Sequence, residues 1–271
     1  MNIAGVIGSP VAHSLSPAIH NAAFRAAGLD WVYVAFDVAP GRAHAALDAT
    51  RVLGLRGLSV TTPHKEEVAT SVDALAPAAA ALHSVNTVVG TDSGCLVGHS
   101  TDGDGGVAAL SAAGVEVSGA AIVVVGAGAA GRSVVDALGR SGARDIAVVN
   151  RTAARAEQAT RLTAAARVGS AADIAAADVV INATSVGFGT DELPFDPALL
   201  RPEQAVADLV YHPLDTALLR AASGRGCVVV DGLAMLIHQA VLQEELWMGH
   251  HPDPGVMRDA ALAELRRRNA S

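Results

Sequence analysis

The chain has 271 residues, of which 51% are hydrophobic, 17% charged and 3% aromatic, which is enough to fill one or two buried cores and excludes disorder as the general state. Nineteen Lys and Arg stand against 27 Asp and Glu, a formal charge of −8. A dedicated binder of nucleic acid or anionic membrane would carry a basic excess instead, so neither is expected as a partner. Cys95 and Cys227 lie far apart, with no metal-ligand or disulfide spacing, and read as reduced thiols of a cytoplasmic protein. The first cation is Arg25, which is unlike a secretory signal. No uncharged apolar run reaches the roughly 18 to 20 residues of a membrane-spanning helix. No metal is implied either, since His250-His251 lack a third ligand at recognisable spacing.

Short apolar runs bounded by Gly or Pro alternate with longer segments of helical period, the βαβα pattern of an α/β protein whose mainly parallel sheet is covered on both faces. The pattern predicts strands at 2–7, 31–36, 57–61 and 85–89. After the glycine-rich stretch Asp102-Gly103-Asp104-Gly105-Gly106 it predicts five more, at 121–125, 146–149, 179–182, 205–208 and 228–231. A domain boundary is placed near residue 104. Residues 153–178 are very rich in Ala and read as one or two helices. A last helical segment opens near Ala234, with Leu236, Ala240, Leu242 and Leu246 as its apolar positions.

In the first half, three polar clusters fall where predicted strands meet loops: Ser14-Leu15-Ser16-Pro17, Ser59 to Lys65, and Asn86 with Thr101-Asp102. Parallel sheets bind ligands at the carboxyl ends of their strands, so these clusters are expected to converge. Hydroxyls, an amide, an ammonium and a carboxylate together suit a small anionic molecule with many hydroxyls. Singly, each has another reading: Ser16 as a helix N-cap before Pro17, Asn86 in a turn, Asp102 as a cap, Lys65 as a solvated lysine. Lys65 and Asp102 carry the chemical content, because hydride delivery to a ketone creates an alkoxide that must collect a proton. An ammonium donates one, and a carboxylate orients the hydroxyl.

In the second half, Gly126-Ala127-Gly128-Ala129-Ala130-Gly131 follows a strand pattern and opens a helical one, the order required of a dinucleotide site. The glycines let backbone approach a pyrophosphate, and the helix N-terminus supplies N–H donors; a turn serving only tight strand-helix packing is the alternative. An NAD site usually places a carboxylate about 20 residues downstream for the ribose. Here Asn150-Arg151-Thr152 stands there, with Arg155 a helical turn beyond. Guanidinium groups suit a 2′-phosphate, so NADP is expected over NAD unless both arginines are simply solvated.

These residues resemble the shikimate dehydrogenase family, whose members reduce 3-dehydroshikimate to shikimate with NADPH in the pathway to chorismate and the aromatic amino acids. Gly8 to Pro17 with His20-Asn21, Ser59-Val60-Thr61-Thr62-Pro63-His64-Lys65, Ser84-Val85-Asn86-Thr87 and Ser100-Thr101-Asp102-Gly103 are similar to its substrate motifs. Gly126 to Arg132, Asn150-Arg151-Thr152, Asn182 to Gly187, Asp208 to Tyr211 and Asp231 to Gln239 are similar to its nucleotide half and return segment. The resemblance implies that Ser14 and Ser16 bind the substrate carboxylate and that Lys65 is catalytic with Asp102. Asn86 and Asp102 then contact ring hydroxyls, and Thr61, Tyr211 and Gln239 complete the substrate set. Gly126, Ala127, Gly128, Ala129 and Ala130 take the pyrophosphate, Asn150, Arg151, Thr152 and Arg155 the 2′-phosphate ribose, while Leu209 and Gly232 border the nicotinamide.

The expected organisation is a mainly parallel α/β substrate-binding and catalytic domain, 1–103 with 237–271, and a Rossmann-type NADP-binding domain, 104–236. Ser59 stands where the family often has Asn, Ser100 where it has Asn, and Ala234 where it has Gly. The shorter serines are expected to leave contacts to water, and Ala234 to be helical. Quinate/shikimate and aminoshikimate dehydrogenases of the same family are the alternative activities. The oligomeric state is left open, a homodimer included.

Overall fold

Hydrophobic residues alternate along Asn2–Gly8 so that Ala4 and Val6 join one buried cluster with Phe24, Tyr33 and Trp247, while Ile7 joins another with Leu47, Leu58, Val60 and Val88. A strand with both faces buried belongs inside a sheet. The computed structural model describes residues 1–91 and 93–269. It divides into two units, Met1–Thr101 with the chain from Gln239 on, and Asp102–His238. Among the described residues no helix is long and apolar enough to cross a membrane.

In the first unit the chain runs β1 (Asn2–Gly8), α1 (Ser16–Ala26), β2 (Trp31–Asp37), α2 (Ala43–Leu53), β3 (Gly57–Val60), α3 (Lys65–Ala69), β4 (Ala74–Leu75), α4 (Pro77–Leu82), β5 (Thr87–Gly90) and β6 (Leu96–His99). The sheet order is β2-β1-β3-β5-β6-β4. β1 pairs in parallel with β2 and β3, but β5 is antiparallel to both β3 and β6. The sheet is therefore mixed, and β4 and β6 are strands that the apolar pattern does not reveal. Both are short, and β6 (Leu-Val-Gly-His) follows Gly94 with too few alternating positions to register.

The second unit continues with α5 (Asp102–Ala112), β7 (Ala121–Val125), α6 (Ala129–Arg140), β8 (Asp145–Val149), α7 (Ala153–Thr160), β9 (Ala166–Val168), β10 (Val179–Asn182), β11 (Ala205–Asp208), α8 (Ala217–Gly224) and β12 (Val228–Val230). All its strand pairs are parallel, in the order β12-β11-β10-β7-β8-β9. That is the doubly wound arrangement, with its switch point between β7 and β10. Ile122 and Val124 pack with Val134, Leu138 and Ile146, while Val123 and Val125 pack with Ile174, Leu200 and Leu218. Two long helices end the chain, α9 (Gly232–Met248) and α10 (Pro254–Asn269). The division between the units falls within α9.

Two expectations are corrected. The glycine-rich stretch after Thr101, which gave no helical pattern in the sequence, is helix, and the division between the units falls at its start: α5 needs Gly103 because a Cβ there would lie 2.0 Å from the Ser133 carbonyl oxygen of α6. The Ala-rich stretch 153–178 holds α7, then the edge strand β9, then a short 3-10 turn, Ala171–Ala176, started by a Ser170–Asp173 capping box. Alanine composition promotes helix, but Arg167 in β9 is fixed by Asp145 and Asp173, and strand pairing with β8 overrides the local preference.

Candidate active site

Register gathers the first-unit residues at one edge. β1 and β3 are parallel and end at Gly8 and Val60, β5 runs the other way and begins at Thr87, and β6 reverses again to end at His99. The loop carrying Ser14, the Thr61 turn, Asn86 and Thr101 therefore all leave the sheet on the same side. Thr61 donates its backbone N–H to Ile7 and accepts from the His64 N–H, which sets the start of α3. Lys65 opens that helix, half-buried, and its carbonyl accepts from the Val85 N–H at 3.0 Å, tying it beside Asn86.

Asn86 is buried and fixed in orientation. Its Oδ1 accepts from the Thr101 backbone N–H at 2.7 Å, and its Nδ2 donates to Thr101 Oγ1 at 2.9 Å and, at 3.5 Å, to Gln239 Oε1 on α9. Asp102 is the next residue after Thr101, half-buried as the first residue of α5. At the other end of the edge, Ser16 begins α1 instead of capping it: Leu15 is the capping residue, and Ser14 Oγ accepts the Ser16 N–H at 3.2 Å. Pro17 has no N–H to satisfy, and the side-chain bond to the start of the helix comes from Ser14, two residues before the serine expected to cap it. Arg268 of α10 donates to the carbonyls of His13 and Ser14 and holds this loop.

His20 and Asn21 are structural here. Asn21 bonds the Tyr33 backbone through both amide atoms, at 2.8 and 2.9 Å, joining α1 to β2. His20 Nδ1 lies 2.8 Å from Glu244 Oε1, both side chains being fully buried, with the Tyr33 ring stacked at 4.4 Å. Sequence reasoning missed Tyr33, Gln243 and Glu244, and gave Thr87, though part of a quoted motif, no role. Gln243 was findable, because it stands four residues after Gln239 and so shares its helix face.

In the second unit, the loop after β7 sits at the switch point. Gly126 has φ +110, and a Cβ on it would lie 2.8 Å from Ala183 backbone; a Cβ on Gly131 would lie 2.1 Å from the Gly126 carbonyl oxygen. These two glycines are demanded by packing. Gly128 is not: its φ of −76 and ψ of −170 suit any residue, and a Cβ there would meet nothing within 4 Å. Ala129 and Ala130 form the first turn of α6, where N–H groups lack intrahelical acceptors and Gly128 has no side chain to cap them. An open approach to such donors fits a pyrophosphate.

Asn150 Oδ1 accepts the Ala127 N–H at 3.1 Å, and its Nδ2 donates to the Thr152 carbonyl at 2.9 Å, so the end of β8 is stapled to the glycine loop. Arg151, Thr152 and Arg155 project from it exposed, and among the described residues no carboxylate pairs with either arginine. Behind the loop, buried Asp208 accepts from Asn182, Val210 and Thr216, while burial pushes its carboxyl above the ordinary range. Leu209 meets Gly232 directly: a Cβ on Gly232 would lie 2.6 Å from the Leu209 and Val210 carbonyls. Tyr211 follows in a half-buried loop, and Ala234 is helical, in α9.

The glycines give a test that separates packing from binding. Gly131→Ala is expected to destabilise the protein by roughly 1–3 kcal/mol, as overpacking does. Gly128→Ala should leave the melting temperature unchanged yet weaken NADP in a calorimetric titration. Unchanged NADP affinity in Gly128→Ala would leave the loop a packing device only.

Three family models match the chain: a shikimate dehydrogenase substrate binding domain over residues 6–88, a shikimate/quinate 5-dehydrogenase over 108–187, and a shikimate 5′-dehydrogenase C-terminal domain over 232–262. An NADP(+) shikimate dehydrogenase of Thermococcus kodakarensis is 45% identical over 262 residues, covering 95% of each chain. Among solved structures, shikimate 5-dehydrogenase from Thermus thermophilus, in complex with NADP(H) and shikimate, superposes with a TM-score of 0.92 at 38% identity over 97% of this chain and 99% of that one. Quinate dehydrogenase from Corynebacterium glutamicum, in complex with NAD, gives 0.88 at 35% identity, over 97% and 99%.

Proposed function

The chain belongs to the shikimate dehydrogenase family, and on that premise we propose that it catalyses the reversible NADPH-dependent reduction of 3-dehydroshikimate to shikimate. The observation that carries this reading is the convergence of Ser14, Ser16, Thr61, Lys65, Asn86 and Gln239 along one edge of the first sheet. Two serine hydroxyls at the N-terminus of α1 suit the carboxylate of a small acid. Asn86 and Gln239 carry amides for ring oxygens, with Thr61 at the same strand edge.

NADPH, when bound, supplies the hydride for the carbonyl carbon. Gly126, Ala127, Gly128, Ala129 and Ala130 would hold its pyrophosphate, Asn150, Arg151, Thr152 and Arg155 the phosphorylated ribose, and Leu209 and Gly232 the nicotinamide end. The carbonyl oxygen becomes an alkoxide and takes a proton from the Lys65 ammonium. Asp102 accepts a hydrogen bond from the substrate hydroxyl and orients it. In the oxidising direction neutral Lys65 takes that proton back.

A panel of shikimate and quinate, each with NADP and NAD, followed by absorbance of the reduced nicotinamide, tests the reading. Shikimate with NADP is expected to have the highest kcat/KM. Quinate with NAD, the pair suggested by the Corynebacterium neighbour, should be the poorest, because no carboxylate stands at the end of β8 for an unphosphorylated ribose. A preference for quinate would transfer the assignment within the family.

A further inference from the structure

Beneath the substrate edge, buried polar side chains form one unbroken hydrogen-bonded chain. Tyr33 Oη donates to Ser59 Oγ at 2.6 Å, and Ser59 Oγ donates to Gln243 Oε1 at 2.8 Å. Gln243 Nε2 donates to Thr87 Oγ1 at 2.9 Å, and Thr87 Oγ1 donates to Asn86 Oδ1 at 2.9 Å. The chain thus runs from Tyr33 on β2 to Asn86 at the amide end of the edge. Tyr33, Ser59, Thr87, Asn86 and Gln243 are all at most 7% exposed.

The direction of every proton follows from a single backbone group. The Thr101 N–H can only donate, so the Asn86 atom facing it is Oδ1. Thr87, donating to the same oxygen, must accept from its other neighbour, and the Gln243 atom there is therefore its NH2. That turns Gln243 Oε1 toward Ser59, whose own oxygen then accepts from Tyr33. Burial pushes the Tyr33 phenol well above its ordinary pKa and keeps it a donor. Donors aligned one way polarise one another. The same logic explains Ser59: the gap expected to admit water is spanned by Gln243 from α9.

We propose that Gln243 is a positioning residue for substrate binding, which, acting through Thr87 on one side and Ser59 and Tyr33 on the other, holds in place Asn86, whose NH2 the Thr101 N–H turns toward Gln239 and the ligand. This rests on the reading above that Asn86 binds a ring oxygen. Gln243 itself acts only through its neighbours. Removing its amide leaves the Ser59 hydroxyl without an acceptor and Thr87 without a donor, both buried, so the Thr87 hydroxyl can turn away from Asn86 Oδ1 and Asn86 loses one of the bonds that fix its place.

The test uses steady-state kinetics with calorimetric titration of shikimate. Gln243→Leu is expected to raise the shikimate KM and Kd about tenfold, with kcat and the NADP KM within twofold. Ser59→Ala should do the same and Ser59→Thr should restore wild-type values. The double variant Gln243→Leu/Ser59→Ala should be no worse than the poorer single, because one chain is broken once. A role confined to packing would lower the melting temperature and the active fraction while leaving KM alone, and would multiply in the double. Tyr33→Phe, which loses only the oxygen, provides the reading if Gln243→Leu fails to fold, and it too should raise KM. Unchanged shikimate KM in folded variants, or multiplicative effects, would overturn the proposal while wild-type turnover left the activity standing. Wild-type protein that binds shikimate without turning it over would overturn the activity, and the Kd values would still decide the role of Gln243.

Discussion

Lys65→Ala is expected to lower kcat by about 10²- to 10⁴-fold, the usual contribution of a positioned acid or base, while NADP binding is unchanged. The alkoxide sets the direction of the effect: without a donor beside it, the hydride step runs uphill toward an unprotonated oxygen. Lys65 is placed for this by two backbone bonds, Thr61 to His64 and Lys65 to Val85, which set the start of α3 against the strand edge. The nucleotide elements all lie in the second unit, so its affinity should not respond. A lysine that only binds ground-state substrate would behave differently, raising KM and sparing kcat. Normal kcat at saturating shikimate in Lys65→Ala would remove the proton-transfer role.

Asp102→Asn extends the same test. The amide keeps size and hydrogen bonding but not charge, so kcat should also fall. Both residues act in one step, and the double variant should cost less than the product of the singles. Independent, multiplicative losses would assign the two residues to separate steps.

The second unit was more legible in the sequence than the first, for a physical reason. A parallel sheet buried on both faces needs continuous apolar strands, and Ile122 to Val125 and Val179 to Ile181 are such runs, each separated from the next by helices. The first unit carries antiparallel β5 and β6, four residues each, and alternation over four residues is weak. The helix α5 was hidden because Asp102 to Gly106 is glycine-rich and glycine is a poor helix former, whereas here it allows the approach of two helices. The residues proposed to touch ligand fall in short motifs and were visible. Their connections were not: Tyr33 and Thr87 lie on different strands and Gln243, although a turn beyond Gln239, lies 156 residues from Thr87, so only the folded chain brings them together.

Arg151→Ala is expected to weaken NADP by about tenfold to a hundredfold, since hydrogen bonds to a charged group are worth roughly 1.5–3 kcal/mol, and to leave NAD little changed. The position is prepared by Asn150, which bonds both the glycine loop and the Thr152 carbonyl and so fixes where the next side chain starts. Arg151 and Arg155 are exposed and unpaired with carboxylates among the described residues, so binding a phosphate requires no ion pair to be broken first. Exposure also means screening: the NADP preference should shrink as salt is raised, while NAD binding changes less. Arg155→Ala should show a smaller loss of the same kind, because its guanidinium starts a helical turn further along. A carboxylate introduced as Arg151→Asp should repel the 2′-phosphate and accept from a ribose hydroxyl, turning the preference toward NAD. Equal losses for both nucleotides in Arg151→Ala would mean that the guanidinium supports the loop and does not read the phosphate.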